Sequence, residues 1–426
     1  MTQLIFTDNP KDWQNLLPLT FIKPISSLRI GILTIKEKWQ KYLQFADNQV
    51  FYLTESYLQA KYSTYPQLTN DGTTDNKINQ NQISGNSPNT FLYVNNSILP
   101  DKDLIKIIQN LPLNSVLVSK QTVIAIYTQK QFISIFDIFE LAKLQNNNLQ
   151  IIDYQGIATK INFVYDIFKE NRQQIINDFA LITANRQSLA ITDIHTRIYG
   201  AENIFLEAGA TIKAAILNAE DAPIYIGQNA KVHEGAIIKG AFALCEGAEV
   251  NMAAKIKGDT TVGVFSKVGG EISNSVIMGY SNKGHDGFLG NSVIGEWCNL
   301  GADTNTSNLK NNYSQVKLWN FATETMLDTG LQFCGTIMGD HAKCSINTML
   351  NTGTVIGIGA NLFGADFPPK FVPPFAWGGK TENETFDFDK FCEMATRVMQ
   401  RRGILLEKAD AEILETVFKV TEKYRK

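Results

Sequence analysis

Between Ile226 and Val268 an aliphatic residue stands at every sixth position: Ile226, Val232, Ile238, Leu244, Val250, Ile256, Val262 and Val268. Two residues ahead of most of them stands something small, namely Ala230, Ala236, Ala248, Ala254, Thr260 and Ser266. A helix repeats its apolar face about every 3.6 residues and a lone strand every second residue, so neither gives this row. A solenoid does: its flat sides are short strands, its corners need small residues, and each aliphatic stacks on the one a rung below. The row resumes after an offset of two residues at Val276, Phe288, Ile294 and Leu300, with Asn282 out of pattern. After an insertion it continues at Met338, Cys344, Leu350, Ile356 and Leu362. Residues of roughly 190–365 are therefore expected to form one parallel β-helix of about nine triangular coils, three hexads to a coil.

The 426 residues exceed one compact domain. Ahead of the repeats, short apolar runs at 3–6, Val50–Thr54, Phe91–Val94, Ser115–Val118 and Val123–Tyr127 alternate with helical patterns, which predicts an open α/β sheet. The Asn-, Thr-, Asp- and Gly-rich stretch between Tyr65 and Thr90 is expected to be a mobile surface insertion without chemistry. Residues 151–188 read as a closing strand and a helix. Phe163, Ile167, Ile175, Ile176 and Phe179 mark its apolar side, and Lys169, Glu170, Arg172 and Asp178 its wet side. His195, in the loop before the first coil, is expected at the surface. Beyond the repeats, FGADFPPKFVPPFAWGG predicts an extended strap that leaves the strand ladder, because prolines cannot donate to it. Helices over about 386–402 and 405–425 would cap the open end of the solenoid. The expected domains are thus 1–188, 189–365 and 366–426.

A net charge of only −3 and the lack of a basic run argue against nucleic acid or an anionic membrane surface as the main partner. Cys245, Cys298, Cys334, Cys344 and Cys392 are scattered, with no CxxC pair, and read as reduced, buried thiols. The first residues carry neither a signal-peptide nor an anchor pattern, so a cytoplasmic location is expected.

Within the first part, Pro18, Thr20 and Pro24, followed by Ile30-Gly31, resemble the P-x-T-x-x-x-P and later Gly segments of sugar-phosphate nucleotidyltransferases. That family's Gly-rich phosphate loop is replaced by Asn9-Pro10-Lys11-Asp12-Trp13, and the Lys after the second Pro by Ile25. Close wrapping of a triphosphate uses the backbone amides of such a loop. Nucleotide binding would here fall to other groups, with Lys23 and Arg29 the candidates. Leu92–Pro100 is similar to the family's strand end whose Asp holds a catalytic Mg²⁺, and Asn95 stands at that Asp. An amide is a poorer ligand for a hard dication, so the metal would shift toward Asp101 or Asp103, or turnover in this half would be lost.

The densest pattern is Glu271–Lys310, EISNSVIMGYSNKGHDGFLGNSVIGEWCNLGADTNTSNLK. It resembles the acetyltransferase half of the bifunctional N-acetylglucosamine-1-phosphate uridyltransferase/glucosamine-1-phosphate acetyltransferase family, in which a nucleotidyltransferase domain likewise precedes a hexapeptide β-helix. The resemblance implies a left-handed β-helix, a homotrimer, and acetyl-CoA as cosubstrate. His285 falls on the family's catalytic His, and an imidazole that titrates near neutrality suits a general base for a sugar ammonium. Asn299 and Asn308 fall on sugar-binding asparagines, Lys257 on a phosphate-holding Arg, and Ala302 on a small residue whose backbone meets the thioester. Phe288 replaces a phosphate-contacting Tyr and Ser273 a Lys, while Asn291 and Asp303 also depart from the pattern. Lys283, Lys310 or Lys317 could restore the charge.

Hexapeptide carbonic anhydrases hold zinc with three histidines, two of them five apart. His233 and His341 offer no such pair, so no metal is expected in the β-helix, and Asp340-His341 is a second candidate for site polarity. The implied activity is N-acetylation of an amino-sugar 1-phosphate, joined to nucleotidyl transfer from UTP or another NTP with Mg²⁺, toward UDP-N-acetylglucosamine and cell-wall precursors. Two alternatives stay open: an acyltransferase with a nucleotide-sugar-binding first half, and a structural trimer without turnover.

Overall fold

The computed structural model describes residues 2–62, 90–132, 138–140, 144, 148–379 and 384–425. The insertion expected from Tyr65 up to Thr90 lies outside the described residues, save Thr90 itself. The chain divides into two compact units. One comprises Met1–Trp13, Pro24–Ser27 and Ile35–Asn162, the other Gln14–Lys23, Leu28–Thr34 and Phe163–Lys426.

The first unit is an α/β sheet of six strands: β1 (Thr2–Thr7), β2 (Val50–Leu53), β3 (Thr90–Asn95), β4 (Ser115–Ser119), β5 (Thr122–Thr128) and β6 (Gln150–Asp153). Their order is β2-β1-β3-β5-β4-β6, parallel except around β5. Strands buried on both faces read as unbroken apolar runs, and Phe91–Val94 is such a run, buried throughout. Ile5, Tyr93, Val116 and Ile126 share one core cluster.

In the second unit three parallel sheets make the sides of the solenoid. One side has nine strands, from Ile204–Leu206 to Phe371–Val372. Its inward column is Leu206, Ile226, Leu244, Val262, Ile277, Ile294, Met338, Ile356 and Val372. The second side stacks Ile212, Val232, Val250, Val268, Lys283, Leu300, Cys344 and Leu362. The third stacks Ile198, Leu217, Ile238, Ile256, Ile272 and Leu289, followed by Thr306 and Leu350. At about 1.5–3 kcal/mol for each aliphatic taken out of water, these columns hold the coils together. The arrangement is that of the left-handed hexapeptide β-helix class.

Two ladder positions differ from expectation by one residue. The inward residues are Ile277 and Leu289, not Val276 and Phe288. The cause lies in shortened corners: four positions separate Val268 from Ile272, five separate Ile272 from Ile277 and five separate Leu289 from Ile294, against six between the other inward residues from Ile226 to Leu300. The strap also differs. Phe371–Val372 pairs with Val355–Ile356, and Ala376–Gly378 continues beyond Asn361–Leu362. The Pro-rich segment is therefore the last coil, with Pro373 and Pro374 at its corner, where no ladder donor is needed.

Helix α1 (Asp166–Thr183) belongs to the second unit. Asp178, expected on its wet side, is buried, and one carboxylate oxygen accepts the backbone amides of Ile32 at 2.8 Å and Leu33 at 3.0 Å. Gly31 sits against it with φ +76°, donating to Asn171 Oδ1 at 2.7 Å; a Cβ there would lie 2.5 Å from the Asp178 carboxylate. Two further helices, α2 (Phe388–Gln400) and α3 (Lys408–Val420), bury Phe391, Ala395, Met399 and Ile413, Leu414, Val417. Among the described residues no helix is long and apolar enough to cross a membrane.

Candidate functional site

His285 occupies the corner turn Gly284–Gly287, between the second and third sides of the solenoid, and is exposed. Directly beneath, the corner contracts to Gly269-Gly270, packed so tightly that a Cβ on Gly269 would lie 2.5 Å from the Gly284 carbonyl oxygen and one on Gly270 2.5 Å from that of Gly287. Only glycine allows this approach. Asn251, one coil lower, reaches past the short corner to donate to the Gly284 carbonyl at 2.7 Å. Above, a Cβ on Gly287 would meet the Thr304 carbonyl, so the His285 turn stacks under the Gly301–Thr304 turn. That upper turn contains Ala302, whose carbonyl accepts the Asn347 amide at 2.7 Å.

The remaining expected site residues surround this corner on two sides. Asn299 is exposed and lies in register beside Asn282 on the side that leads into the turn. On the side that leads out, Phe288 is half-buried; its amide donates to Asn305 Oδ1 at 2.8 Å and its ring edge leans toward Gly290. Asn308 donates to Asn291 Oδ1 at 2.8 Å, so the Asn that replaces the expected Asp is engaged with the expected sugar ligand. Lys257 is exposed and pairs with Glu271 at 2.6 Å. Ser273 bonds Asn274 Oδ1 at 2.7 Å.

Of the lysines named as charge replacements, Lys283 points inward and is 1% exposed. Lys310 bonds the Gln315 carbonyl in its own loop, and Lys317 is exposed on a hairpin of Lys317–Asn320 with Thr325–Asp328. Away from the corner, His195 is exposed in its turn, and His233 lies 3.6 Å from Glu249. His341 is buried between the rings of Trp297 and Phe391. Asp340 is buried and pairs with Lys23 at 3.0 Å. Among the described residues, no three His, Cys, Asp or Glu side chains are grouped to hold a metal ion.

The candidates for the nucleotide half each have partners of their own. Lys23 is buried and bonds both Glu296 at 2.7 Å and Asp340 at 3.0 Å, a carboxyl that burial pushes up. Arg29 is buried and donates to the Ile32 carbonyl. Asn95, at the end of β3, donates to the Val123 carbonyl at 2.9 Å and accepts the Ser97 amide at 3.0 Å. Both ends of its amide are thus engaged within the turn. Asp101 caps the following helix through the amides of Asp103 and Leu104, and Asp103 pairs with Lys106 at 2.9 Å.

A further polar group, absent from the expected site residues, is Asp8, just beyond β1. Its carboxyl is buried and receives hydrogen bonds from the Ile25 amide at 3.1 Å, Asn96 Nδ2 at 2.6 Å and Thr54 Oγ1 at 2.5 Å. Burial pushes it up to about 7 against these donors. Asp8 marks the carboxyl ends of the parallel strands, where open α/β sheets bind ligands, and that position was the available signal.

Residues 4–187 match the family model described as sugar nucleotidyl transferase, and the hexapeptide β-helix follows that stretch. The chain is similar to the bifunctional protein GlmU of Methanococcus aeolicus, 26% identical over 318 residues, 66% of this chain and 72% of that one. It is 35% identical over 107 residues to GlmU of Methanococcus vannielii, 24% of each chain. It is 32% identical over 93 residues to the bifunctional sugar-1-phosphate nucleotidylyltransferase/acetyltransferase of Sulfurisphaera tokodaii, 22% of this chain and 23% of that one. The last two matches span about a quarter of each relative. Among solved structures, a UDP-N-acetylglucosamine acyltransferase of Arabidopsis covers 55% of this chain and 98% of its own, at 14% identity and a TM-score of 0.22. The chain is thus a transferase, similar to those of the GlmU type.

Proposed function

We propose that the β-helix transfers the acetyl group of acetyl-CoA to the amine of an amino-sugar 1-phosphate, with His285 as general base. The observation that carries this reading is the exposed His285 on a turn clamped between the Gly269-Gly270 corner and the Gly301–Thr304 turn. The imidazole takes a proton from the substrate ammonium, and the free amine attacks the thioester carbon. The tetrahedral intermediate then expels coenzyme A thiolate, which leaves protonated. Asn299 and Asn308 orient the sugar, Lys257 attracts its phosphate, and backbone near Ala302 meets the thioester. Fixing amine and thioester together supplies much of the rate, since positioned reactants reach effective concentrations of about 10⁵–10⁸ M. A homotrimer in the cytoplasm, feeding UDP-N-acetylglucosamine and cell-wall synthesis, belongs to the same reading.

Kinship with bifunctional relatives supports a nucleotidyl step in the first unit, from UTP or another NTP. A second reading, favoured by the engagement of Asn95 with Val123 and Ser97, keeps the first unit as a sugar-nucleotide binder without turnover. Mass analysis of products from acetyl-CoA, UTP and glucosamine 1-phosphate tests both parts. N-acetylated sugar phosphate that disappears in His285→Ala supports the acetyl step, and pyrophosphate release that persists in the same variant supports the nucleotidyl step. UTP binding without pyrophosphate favours the second reading. Acetylation undiminished in His285→Ala refutes the assignment of the base.

A further inference from the structure

Two polar side chains interrupt the otherwise apolar inward columns, and both grip the segment that bears His285. Lys283 stands in the column between Val268 and Leu300, where every other coil from Ile212 to Leu362 has an aliphatic or Cys344. Its Nζ donates to the carbonyl of His285 at 2.6 Å and to that of Asp286 at 2.8 Å. Thr306 stands in the next column, donating its hydroxyl to the Phe288 carbonyl at 3.2 Å and accepting the Gly290 amide at 3.3 Å. From inside the solenoid these two hold the backbone of 285–290, while Asn251, two coils below, holds Gly284 and Asn305, in the next coil, holds Phe288.

A buried lysine is costly as a packing element, since its ammonium must be desolvated where a leucine would cost nothing. Burial pulls Lys283 down to about 8, while the carboxylates of Asp286, in the turn, and Asp303, in the turn above, act the other way. Bonds from a charged donor to two consecutive carbonyls are about twice as strong as neutral ones and fix the path of the chain between them.

We infer that Lys283 is a positioning residue for the transfer reaction: from inside the solenoid it fixes the turn that presents His285 to the substrate amine. The inference rests on the reading of His285 as the base. Because the column wants an apolar side chain, Lys283→Met fills the site at nearly equal length and removes the grip without emptying the core. A residue that only packed would then show little change in rate.

The test uses the full chain with acetyl-CoA and glucosamine 1-phosphate. Lys283→Met is expected to melt no lower than the wild type and to lose about 10- to 100-fold in kcat, the usual cost of removing a group that orients a reacting one. KM for both substrates stays within about twofold, because uniform binding is untouched. Amide exchange at 284–287 rises in the same variant, a readout that needs no activity. Lys283→Gln, which keeps a polar group but cannot reach both carbonyls, serves the same purpose should Met not fold, with the same losses expected. Unchanged kcat together with unchanged exchange in a folded variant overturns the inference. A wild type silent toward amino sugars indicts the reading of His285 instead, and the exchange measurement still decides whether Lys283 holds the turn.

Discussion

Removing the carboxylate of Asp178 should loosen the segment Leu28–Thr34 from helix α1. One oxygen of Asp178 accepts two backbone amides, Ile32 at 2.8 Å and Leu33 at 3.0 Å, and all three residues are buried. In Asp178→Ala both amides lose their partner where water is scarce. Each orphaned buried donor costs about 1–3 kcal/mol, so the variant should lose roughly 2–6 kcal/mol. At about 2–4 °C per kcal/mol for a unit of this size, the melting temperature of the second unit falls by roughly 4–24 °C. Asp178→Asn keeps an acceptor but loses its charge, and since charge-assisted bonds are about twice as strong as neutral ones it should lose about half as much. Circular dichroism melts of wild type, Asn and Ala variants give the comparison. An Ala variant as stable as the wild type, or an Asn variant worse than Ala, would refute the reasoning, because the order follows from the acceptor alone.

Two further outcomes are expected. Asp8 binds its proton more tightly folded, at about 7, than unfolded, near 3.8, so between those values the folded state holds more protons and stability falls as pH rises. Asp8→Asn keeps the acceptor for Ile25 and Asn96 and should flatten that slope in urea titrations from pH 4 to 7; a slope identical to wild type would contradict the assignment. Cys298, Cys334 and Cys344 are buried thiols pushed well up by desolvation, and half-buried Cys392 is pushed up to about 11. Since only thiolate reacts, a disulfide reagent at pH 8 should label native protein slowly at these four and all five cysteines at once in denaturant; rapid labelling of several native thiols would be inconsistent with this.

What the sequence disclosed and what it hid follow from range. The β-helix was legible because its columns repeat in the chain itself, and even the shortening at Gly269-Gly270 appeared as an offset of two residues. The slip at Val276 and Phe288 arose because the corners between Ile272 and Ile277 and between Leu289 and Ile294 each lose a position as well, and several phase shifts cannot be separated by counting sixes. Asp178 looked solvated because its partners lie 145 and 146 positions away. Lys283 stands in the sequence only as one of three lysines that could restore the phosphate-binding charge, because nothing local distinguishes a lysine that enters a core from one that leaves it. His285 was legible only through its neighbours; a histidine alone in a corner turn would have carried no assignment, and its exposure on a clamped turn gives that assignment a geometry. Lys23 and Arg29 stand out in the sequence by charge alone, whereas the partners of Lys23, Glu296 and Asp340, lie 273 and 317 positions away.

The most direct measurement is thiol release from acetyl-CoA by the purified chain, with glucosamine 1-phosphate and a panel of other amino sugars and their phosphates. The account predicts release that depends on an amino sugar and is lost in His285→Ala, while the melting curve of that variant stays with the wild type. Silence across the panel, or release that His285→Ala leaves intact, would contradict it.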